Sequence, residues 1–415
     1  MALEAQIAVA GGGCVGALAA GLCAAQGAAE GARVLLVDPQ PPLAPLPAEA
    51  EPAARVVALA PRIEQALRAA GVPTTPWVER SGQVRRMQVQ AAGRGQIEFG
   101  AAESGGEPLA RIVEVGALQR ALETWAEAQG VRRLEDRVQQ RVAGAPPAGE
   151  PPASALAPAV AAAPSNLTLE LASGLRLSAG LWLACDGAES RLRRLAGMDL
   201  ARRDYGQAAL VARLRFAEAP ADCARQTMGI DGVLGVLPLA DGSHSAVWSL
   251  PAASAAHWRG VSGAEFASGL NLALGAPWGE ATLLGPRVQF PLRELHAPRL
   301  DAPGLALLGD AAHTVHPLAG LGLNLGLADA LSLADALAGA AGRGRPPQDP
   351  ATLRRWSRER QAAVAPYREF INLLAGLGER HPWGWRGVAA GFGLADGLGP
   401  LKQLFAERAR SGSLG

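Results

Sequence analysis

The sequence predicts an α/β chain in two parts, a Rossmann-like unit built on a parallel sheet and a mostly antiparallel β-sheet domain, completed by a helical C-terminal segment. Three observations carry this expectation. A β-α-β pattern opens the chain between Ile7 and Asp38. Residues 204–294 read mainly as strands. From Gly322 the chain turns helical, beginning with an Ala/Leu-rich run to Ala341.

Composition bounds the function. At 415 residues the chain can bury a sizeable core without disulfide or metal staples. Hydrophobic residues make up 49% and charged residues 19%, which excludes wholesale disorder. Lys and Arg number 39 against 38 Asp and Glu, a net charge of +1, and no basic stripe interrupts the balance, so no nucleic-acid partner is expected. Cys14, Cys23, Cys185 and Cys223 form no CxxC pair or zinc-ligand spacing, so neither a disulfide framework nor a metal site is expected. A reduced, intracellular enzyme or binding protein remains.

Taken in order, Ile7-Ala8-Val9-Ala10 is a short apolar run, readable as a buried parallel strand. A glycine loop follows, then a helix over Ala17–Gln26 and a second strand over Arg33–Asp38, ended by Pro39. Ala5 to Ala29 carries no charge and mimics a membrane span or signal peptide. It is Gly-rich, however, and is preceded by Glu4 and by no Lys or Arg, so a cytoplasmic chain is expected. Arg55–Ala70 reads as a helix stopped by Gly71 and Pro73, and Gln83–Phe99 as short antiparallel strands. Val115–Gln129 has helical spacing, with Leu118, Leu122 and Trp125 on one face. Residues 143–164 are Pro/Ala-rich and read as a solvated loop inside a hairpin, with strand-like segments at Asn166–Leu171, Leu175–Leu177 and Gly180–Cys185. Further strands are expected at Ala208–Phe216, Val233–Leu237, Ser245–Leu250 and Leu305–Leu308, with Trp248, Trp258 and Trp278 as core.

The N-terminal loop carries the chemistry. Gly11-x-Gly13-x-x-Gly16 lies between a strand and a helix, the context a dinucleotide fingerprint requires. The first glycine permits the tight turn, the second lets the backbone approach a pyrophosphate, and the third lets helix and strand pack closely. The helix N-terminus offers unpaired N–H groups to the phosphates. Asp38 ends the second strand, placed to accept hydrogen bonds from a ribose. Cys14 occupies a position where a thiol pKa tends to fall, although a buried small hydrophobe is the expected role. The fingerprint alone leaves NAD and FAD both open.

Two distant segments choose between them. One is Leu183-Ala184-Cys185-Asp186-Gly187, running on to Ser190 and Arg193. The other is Gly304 to Gly326, containing Gly309-Asp310-Ala311-Ala312-His313 and His316-Pro317-Leu318-Ala319-Gly320-Leu321-Gly322-Leu323-Asn324. With these motifs in this order, together with Arg55-x-x-Ala58-Leu59 and weaker echoes at Tyr205-Gly206-Gln207 and Leu237-Pro238-Leu239, the chain resembles the FAD-dependent aromatic hydroxylases of the p-hydroxybenzoate hydroxylase fold. Within them it is most similar to the ubiquinone-biosynthesis hydroxylases.

That resemblance implies FAD as cofactor, NAD(P)H as co-substrate, and O2 activated as a flavin C4a-hydroperoxide that hydroxylates a phenol or quinol ring. It implies that Asp310 hydrogen-bonds the ribityl chain, that Asp186 helps hold the pyrophosphate region and a nicotinamide donor, and that Arg55 lies beside the flavin phosphates. Standing alone, Asp186 and Asp310 would read as turn residues. Backbone N–H groups around Pro317, Gly320, Gly322 and Asn324 would face the flavin's pyrimidine edge. Pro317 and His313 are the flavin-proximal candidates, although His313 and His316 are expected to fix the turn by hydrogen bonding rather than to act as acid and base. A polyprenyl tail on the substrate, implied by the family, would call for a peripheral contact with the inner membrane. The expected place is the C-terminal set Phe370, Leu373, Leu374, Leu377, Trp383, Trp385, Phe392, Leu404 and Phe405, for which ordinary helix packing on the FAD domain is an equal alternative.

Two positions depart from the family pattern. Leu321 stands where Gln is usual, and Val115 where an amide side chain approaches the flavin. They motivate the alternative of a non-catalytic relative serving as a binding or assembly subunit of a quinone-biosynthesis complex. An NAD-dependent dehydrogenase is disfavoured, having no need of Asp186-Gly187 or Gly309-Asp310. The expected FAD domain is discontinuous, residues 1–78, 107–200 and 295–340. Residues 79–106 and 201–294 are expected to form the substrate domain, and 341–415 the helical C-terminal segment.

Overall fold

Ala2–Ala10 lies at the centre of an eight-stranded sheet, parallel to Arg176–Ala184 on one side and to Val34–Val37 on the other. Leu305–Leu307 extends the parallel run beyond Arg176–Ala184, and Arg132–Leu134 extends it beyond Val34–Val37. Asp301–Ala302, Leu167–Leu171 and Val138–Arg141 join by antiparallel pairing. The computed structural model describes residues 2–380 apart from 28–32, 46, 48–49, 92–94, 102–104, 143–165, 230–231 and 317–321. The Pro/Ala-rich run 143–164 therefore lies outside the described residues.

Val34–Val37 is buried along its whole length, as an inner parallel strand must be when both faces are covered. The cover includes helices Cys14–Ala25, Val115–Ala128 and Gly322–Ala341. Their Ala- and Gly-rich sequences allow close approach. A Cβ at Gly21 would stand 2.4 Å from the Trp125 ring, so the first two of these helices can meet only through a glycine there. The uncharged stretch from Ala5 onward is thus strand and buried helix. Among the described residues no helix is long and apolar enough to cross a membrane.

A second eight-stranded sheet runs in the order His313–Thr314, Ala281–His296, Ala201–Phe216, His244–Pro251, Gly232–Pro238, Cys223–Gly229, Arg86–Ala91, Gly95–Gly100. All its pairings are antiparallel except that of Arg86–Ala91 with Cys223–Gly229. Its outer face packs on helices Ala252–Gly260 and Gly263–Leu274, burying Trp248, Phe266 and Trp278 and half-burying Trp258. Each large side chain so buried stabilises the fold by roughly 1.5–3 kcal/mol. The inner face carries Val89, Ile97, Ala209, Met228, Val233 and Leu292 against Leu325 and Val364. A three-stranded sheet of Val56–Leu59, Ala110–Glu114 and Gly82–Val84 sits between the two systems, Gly82 lying against the backbone of Pro238.

The structure corrects several elements. Arg55–Ala70 is not one helix: Val56–Leu59 is a strand antiparallel to Ala110–Glu114, and the helix begins only at Pro61. Two β-branched residues favour the strand, and proline with its fixed φ is suited to the first helical turn. Leu175–Leu177 and Gly180–Cys185 are parts of one strand, Arg176–Ala184. The two helices at Ala252–Gly260 and Gly263–Leu274 interrupt a region expected to be mainly β. The second carries a readable signal, Ser262 capping the N–H of Glu265 in an S-x-x-E arrangement. Pro350–Arg380 is a helix. Trp383, Trp385, Phe392, Leu404 and Phe405 lie outside the described residues, and so do the side chains of Phe370, Leu373, Leu374 and Leu377.

Candidate active site

Four neighbouring parallel strands deliver the predicted ligand residues to one edge. Gly11–Gly13 follows Ala2–Ala10, Asp38 follows Val34–Val37, Asp186 follows Arg176–Ala184, and Gly309-Asp310 follows Leu305–Leu307. All four stand at carboxyl ends, where open α/β sheets bind ligands.

Gly11 has φ +101°, and a Cβ there would stand 2.3 Å from the carbonyl oxygen of Cys185. The glycine loop and the Asp186 loop therefore pack backbone to backbone. A Cβ at Gly16 would fall 1.8 Å from the Gly11 carbonyl oxygen, so the helix can lie on the loop only with glycine there. Gly13 is different. A Cβ on it would meet nothing within 4 Å, so internal packing gives no reason for a glycine. The helix beginning at Cys14 has no side-chain cap, which leaves its first N–H groups directed at the same open space.

Asp38 is held from three sides. Its carboxylate accepts the N–H of Gly12 and, at 2.7 Å, that of Gln40, and it pairs with Arg133 at 3.6 Å. Arg133 is held in turn by Glu123 at 3.1 Å, and the Gln119 amide donates to Glu123 and to the Gly12 carbonyl. Gln119, Glu123 and Arg133 are site residues that sequence reading missed. The i,i+4 spacing of Gln119 and Glu123 on one helix was the available signal.

Asp186 has two uses. One oxygen accepts the N–H groups of Arg191 (2.7 Å) and Leu192 (3.1 Å), capping a short helix. The other is buried with no hydrogen-bond partner among the described residues. Cys14 donates to the Val115 carbonyl at 3.7 Å, and burial pushes its thiol up to about 12. It is a protonated, buried hydrophobe, and no helix-terminus effect makes it reactive. Val115 also donates its N–H to the Arg55 carbonyl, so Arg55, Val115 and the glycine loop adjoin.

Asp310 is exposed by area but sits in a crowded recess. Desolvation pushes its carboxyl above the usual range, and the positive fields of His313 and Arg55 oppose that rise. Arg55 and Asp310 thus share one neighbourhood. Val15 on the glycine-loop helix completes it, since a Cβ on Gly326 would stand 2.7 Å from the Val15 side chain. His313 is buried with Nε2 committed to Asp329 at 2.8 Å. His316 bonds Gln207 at 3.1 Å, packs edge-on against Tyr205, and is lowered to about 4 by burial, so it is neutral at physiological pH. Each histidine is thus tied to a distant element, His313 from the short strand His313–Thr314 and His316 from just beyond it. Asn324 is fully buried, its amide accepting from Ala60 N–H (2.9 Å) and donating to the Ala58 carbonyl (2.8 Å). Gly322 begins the long helix. Pro317, Gly320 and Leu321 lie outside the described residues.

An open cradle at Gly13 and an uncapped helix N-terminus fit the phosphates of a dinucleotide, and at the same sheet edge the orphaned Asp186 oxygen can accept from a hydroxyl or N–H of such a ligand. Residues 4–369 match the family model described as FAD binding domain. The chain belongs to this FAD-binding family. It is 32% identical over 358 residues to the 3-demethoxyubiquinol 3-hydroxylase of Escherichia coli (strain K12), covering 86% of this chain and 85% of that protein. It is 30% identical over 315 residues to the ubiquinone hydroxylase UbiL of Rhodospirillum rubrum, covering 72% and 71%. In fold it matches p-nitrophenol 4-monooxygenase PnpA from Pseudomonas putida DLL-E4 with a TM-score of 0.75 at 18% identity, over 99% of both chains. The protein is a flavoprotein of the aromatic-hydroxylase type, in agreement with the sequence motifs.

Proposed function

We propose that this protein is a flavin-dependent monooxygenase that hydroxylates the ring of a polyprenylated phenol or quinol, with NAD(P)H as electron donor. The observation that carries the reading is the match to a ubiquinol hydroxylase over 86% of this chain, supported by the convergence of Gly13, Asp38, Asp186 and Asp310 on one sheet edge. FAD, when bound and reduced by NAD(P)H, would supply the activation of O2, of which one oxygen atom enters the ring and the other leaves as water.

The chain's own residues bind, orient and exclude water. The uncapped helix N-terminus and Gly13 would receive the pyrophosphate, Asp38 a ribose hydroxyl, Arg55 the phosphate charge and Asp310 the ribityl hydroxyls. Asp38 retains lone pairs for this after its backbone bonds, because an ionised carboxylate has about four acceptor sites. The apolar inner face, with Val89, Met228, Val233 and Leu292, would lie against the substrate ring and keep water from it. In this reading His313 and His316 anchor the strand His313–Thr314 and the residues just after it, and move no proton. The chain carries one dinucleotide fingerprint, assigned here to FAD, so NAD(P)H visits transiently. In this reading the chain works in the cytoplasm at the face of the inner membrane, where a tailed substrate partitions.

A visible spectrum of the purified full-length chain with added FAD tests the proposal. A two-band flavin spectrum that bleaches anaerobically with NAD(P)H, and NAD(P)H oxidation stimulated by a tailed phenol that gains one oxygen, is the expected result. A colourless protein that cannot be reconstituted overturns it and leaves the binding-subunit reading. Flotation with anionic liposomes tests the membrane contact separately; a chain that stays at the bottom of the gradient removes that part.

A further inference from the structure

Asp310 is flanked by two backbone groups that are each held by a buried ionisable side chain. On one side the N–H of Gly309 donates to Asp329 at 2.9 Å. On the other the carbonyl of Ala311 accepts from Arg193 at 2.7 Å. Asp329 is 0% exposed and Arg193 1%. Asp329 also receives His313 at 2.8 Å and Arg360 at 2.9 Å. Burial pushes its carboxyl up, yet His313, Arg360 and the Gly309 N–H outweigh it and hold the group below the usual range. The second guanidinium nitrogen of Arg193 donates to the Ala188 carbonyl at 2.8 Å, in the loop that follows Asp186-Gly187.

Charges buried this deeply are poor sources of stability, since hydrophobic residues of similar volume often do as well or better. Their retention calls for another reason, and what they share is the three-residue turn Gly309–Ala311. Arg193 lies 118 positions from Ala311, and Asp329 lies on the long helix 20 positions beyond Gly309. The two clamps therefore tie the turn to the Asp186 loop and to the helix behind it.

We propose that Asp329 and Arg193 are positioning residues that act through Asp310, fixing its carboxylate for the cofactor by holding the N–H of the residue before it and the carbonyl of the residue after it. This inference rests on the reading above, in which Asp310 contacts FAD. Neither clamp touches the cofactor in it. Preorganising one hydrogen-bonding group is their whole effect on binding.

The test is a double-mutant cycle read by FAD titration of the stripped full-length chain, with thermal unfolding of the apoprotein alongside. Asp329→Asn and Arg193→Met are each expected to weaken FAD by about tenfold in the wild-type background, the equivalent of one well-placed hydrogen bond. In the Asp310→Ala background the same changes are expected to weaken it less than about twofold, because the group they position is gone. Their effect on the melting temperature should be the same in both backgrounds. A full loss that persists with Asp310→Ala overturns the proposal, since the residues then act as general scaffold. If Asp310→Ala weakens FAD and neither clamp variant does, the clamp is overturned and the reading of Asp310 stands. If Asp310→Ala itself has no effect, both fall. Should Asp329→Asn fail to fold, Arg193→Met decides alone.

Discussion

A Gly16→Ala variant is expected to lose about 3 kcal/mol of stability and to purify without flavin, whereas Gly13→Ala is expected to keep its stability and lose affinity for FAD by tenfold or more. The contrast follows from where the added methyl would go. At Gly16 it lands 1.8 Å from the Gly11 carbonyl oxygen, a backbone atom fixed by the neighbouring Gly11 N–H to Val37 bond at 2.9 Å. Relief requires the helix to move off the loop, which breaks the packing of Leu18 and Leu22 beneath it. At Gly13 the methyl meets no protein atom. The residue is the helix N-cap with φ −67°, a conformation alanine adopts freely, so poorer capping and a stiffer unfolded chain roughly cancel. Urea unfolding of the two apoproteins and FAD titration of both would check the pair. Equal stability losses would show that Gly13 is also a packing residue and would remove the argument that its open space is meant for a ligand.

The glycine fingerprint was legible because local rules act on adjacent residues: a strand, a turn and a helix in sequence leave few choices for Gly11 and Gly16. Asp186 and Asp310 became legible only through the order of distant motifs, since each alone looks like a turn. What stayed hidden is what depends on long-range pairing. Nothing local marks Arg193 as the partner of a carbonyl 118 positions away, or Arg133 as the group between Asp38 and Glu123. The strand Val56–Leu59 was concealed by the helical spacing of the residues after it, and its identity is decided by its partner, Ala110–Glu114. Asn324 shows the same limit within a recognised motif. It reads as a backbone contributor to a ligand site, yet its side chain bridges Ala58 and Ala60 across 266 and 264 positions.

Acid is expected to destabilise the apoprotein from below about pH 6.5, by about 2 kcal/mol per buried histidine between pH 7 and pH 5 and about 3 kcal/mol by pH 4. His244 and His316 carry the largest part of this effect, and His296, lowered by burial and by Arg368, adds to it. His244 is buried between Phe216 and Trp278 under the outer helices, and His316 lies on the inner face against Tyr205. Burial lowers each from 6.5 to about 4, with the Pro220 backbone and Asp241 opposing the shift at His244. The unfolded chain therefore takes up protons below pH 6.5 that the folded chain refuses until about pH 4. Stability is complete above that window and falls as pH drops through it. Asp329, held below the usual carboxylate range, adds to the loss at still lower pH, where its ion pairs are protonated away. Asp310 works the other way, because a raised carboxyl favours the folded state once protonated, though its exposure keeps that contribution small. Urea unfolding at pH 7 and pH 5 reads the total, and His244→Phe separates the parts. Phenylalanine keeps an aromatic ring between Phe216 and Trp278 and cannot take a proton, so about 2 kcal/mol of the loss between pH 7 and pH 5 should vanish. An unchanged slope would mean that His244 is protonated in the folded core, and the neutral-imidazole account of that cluster would be wrong.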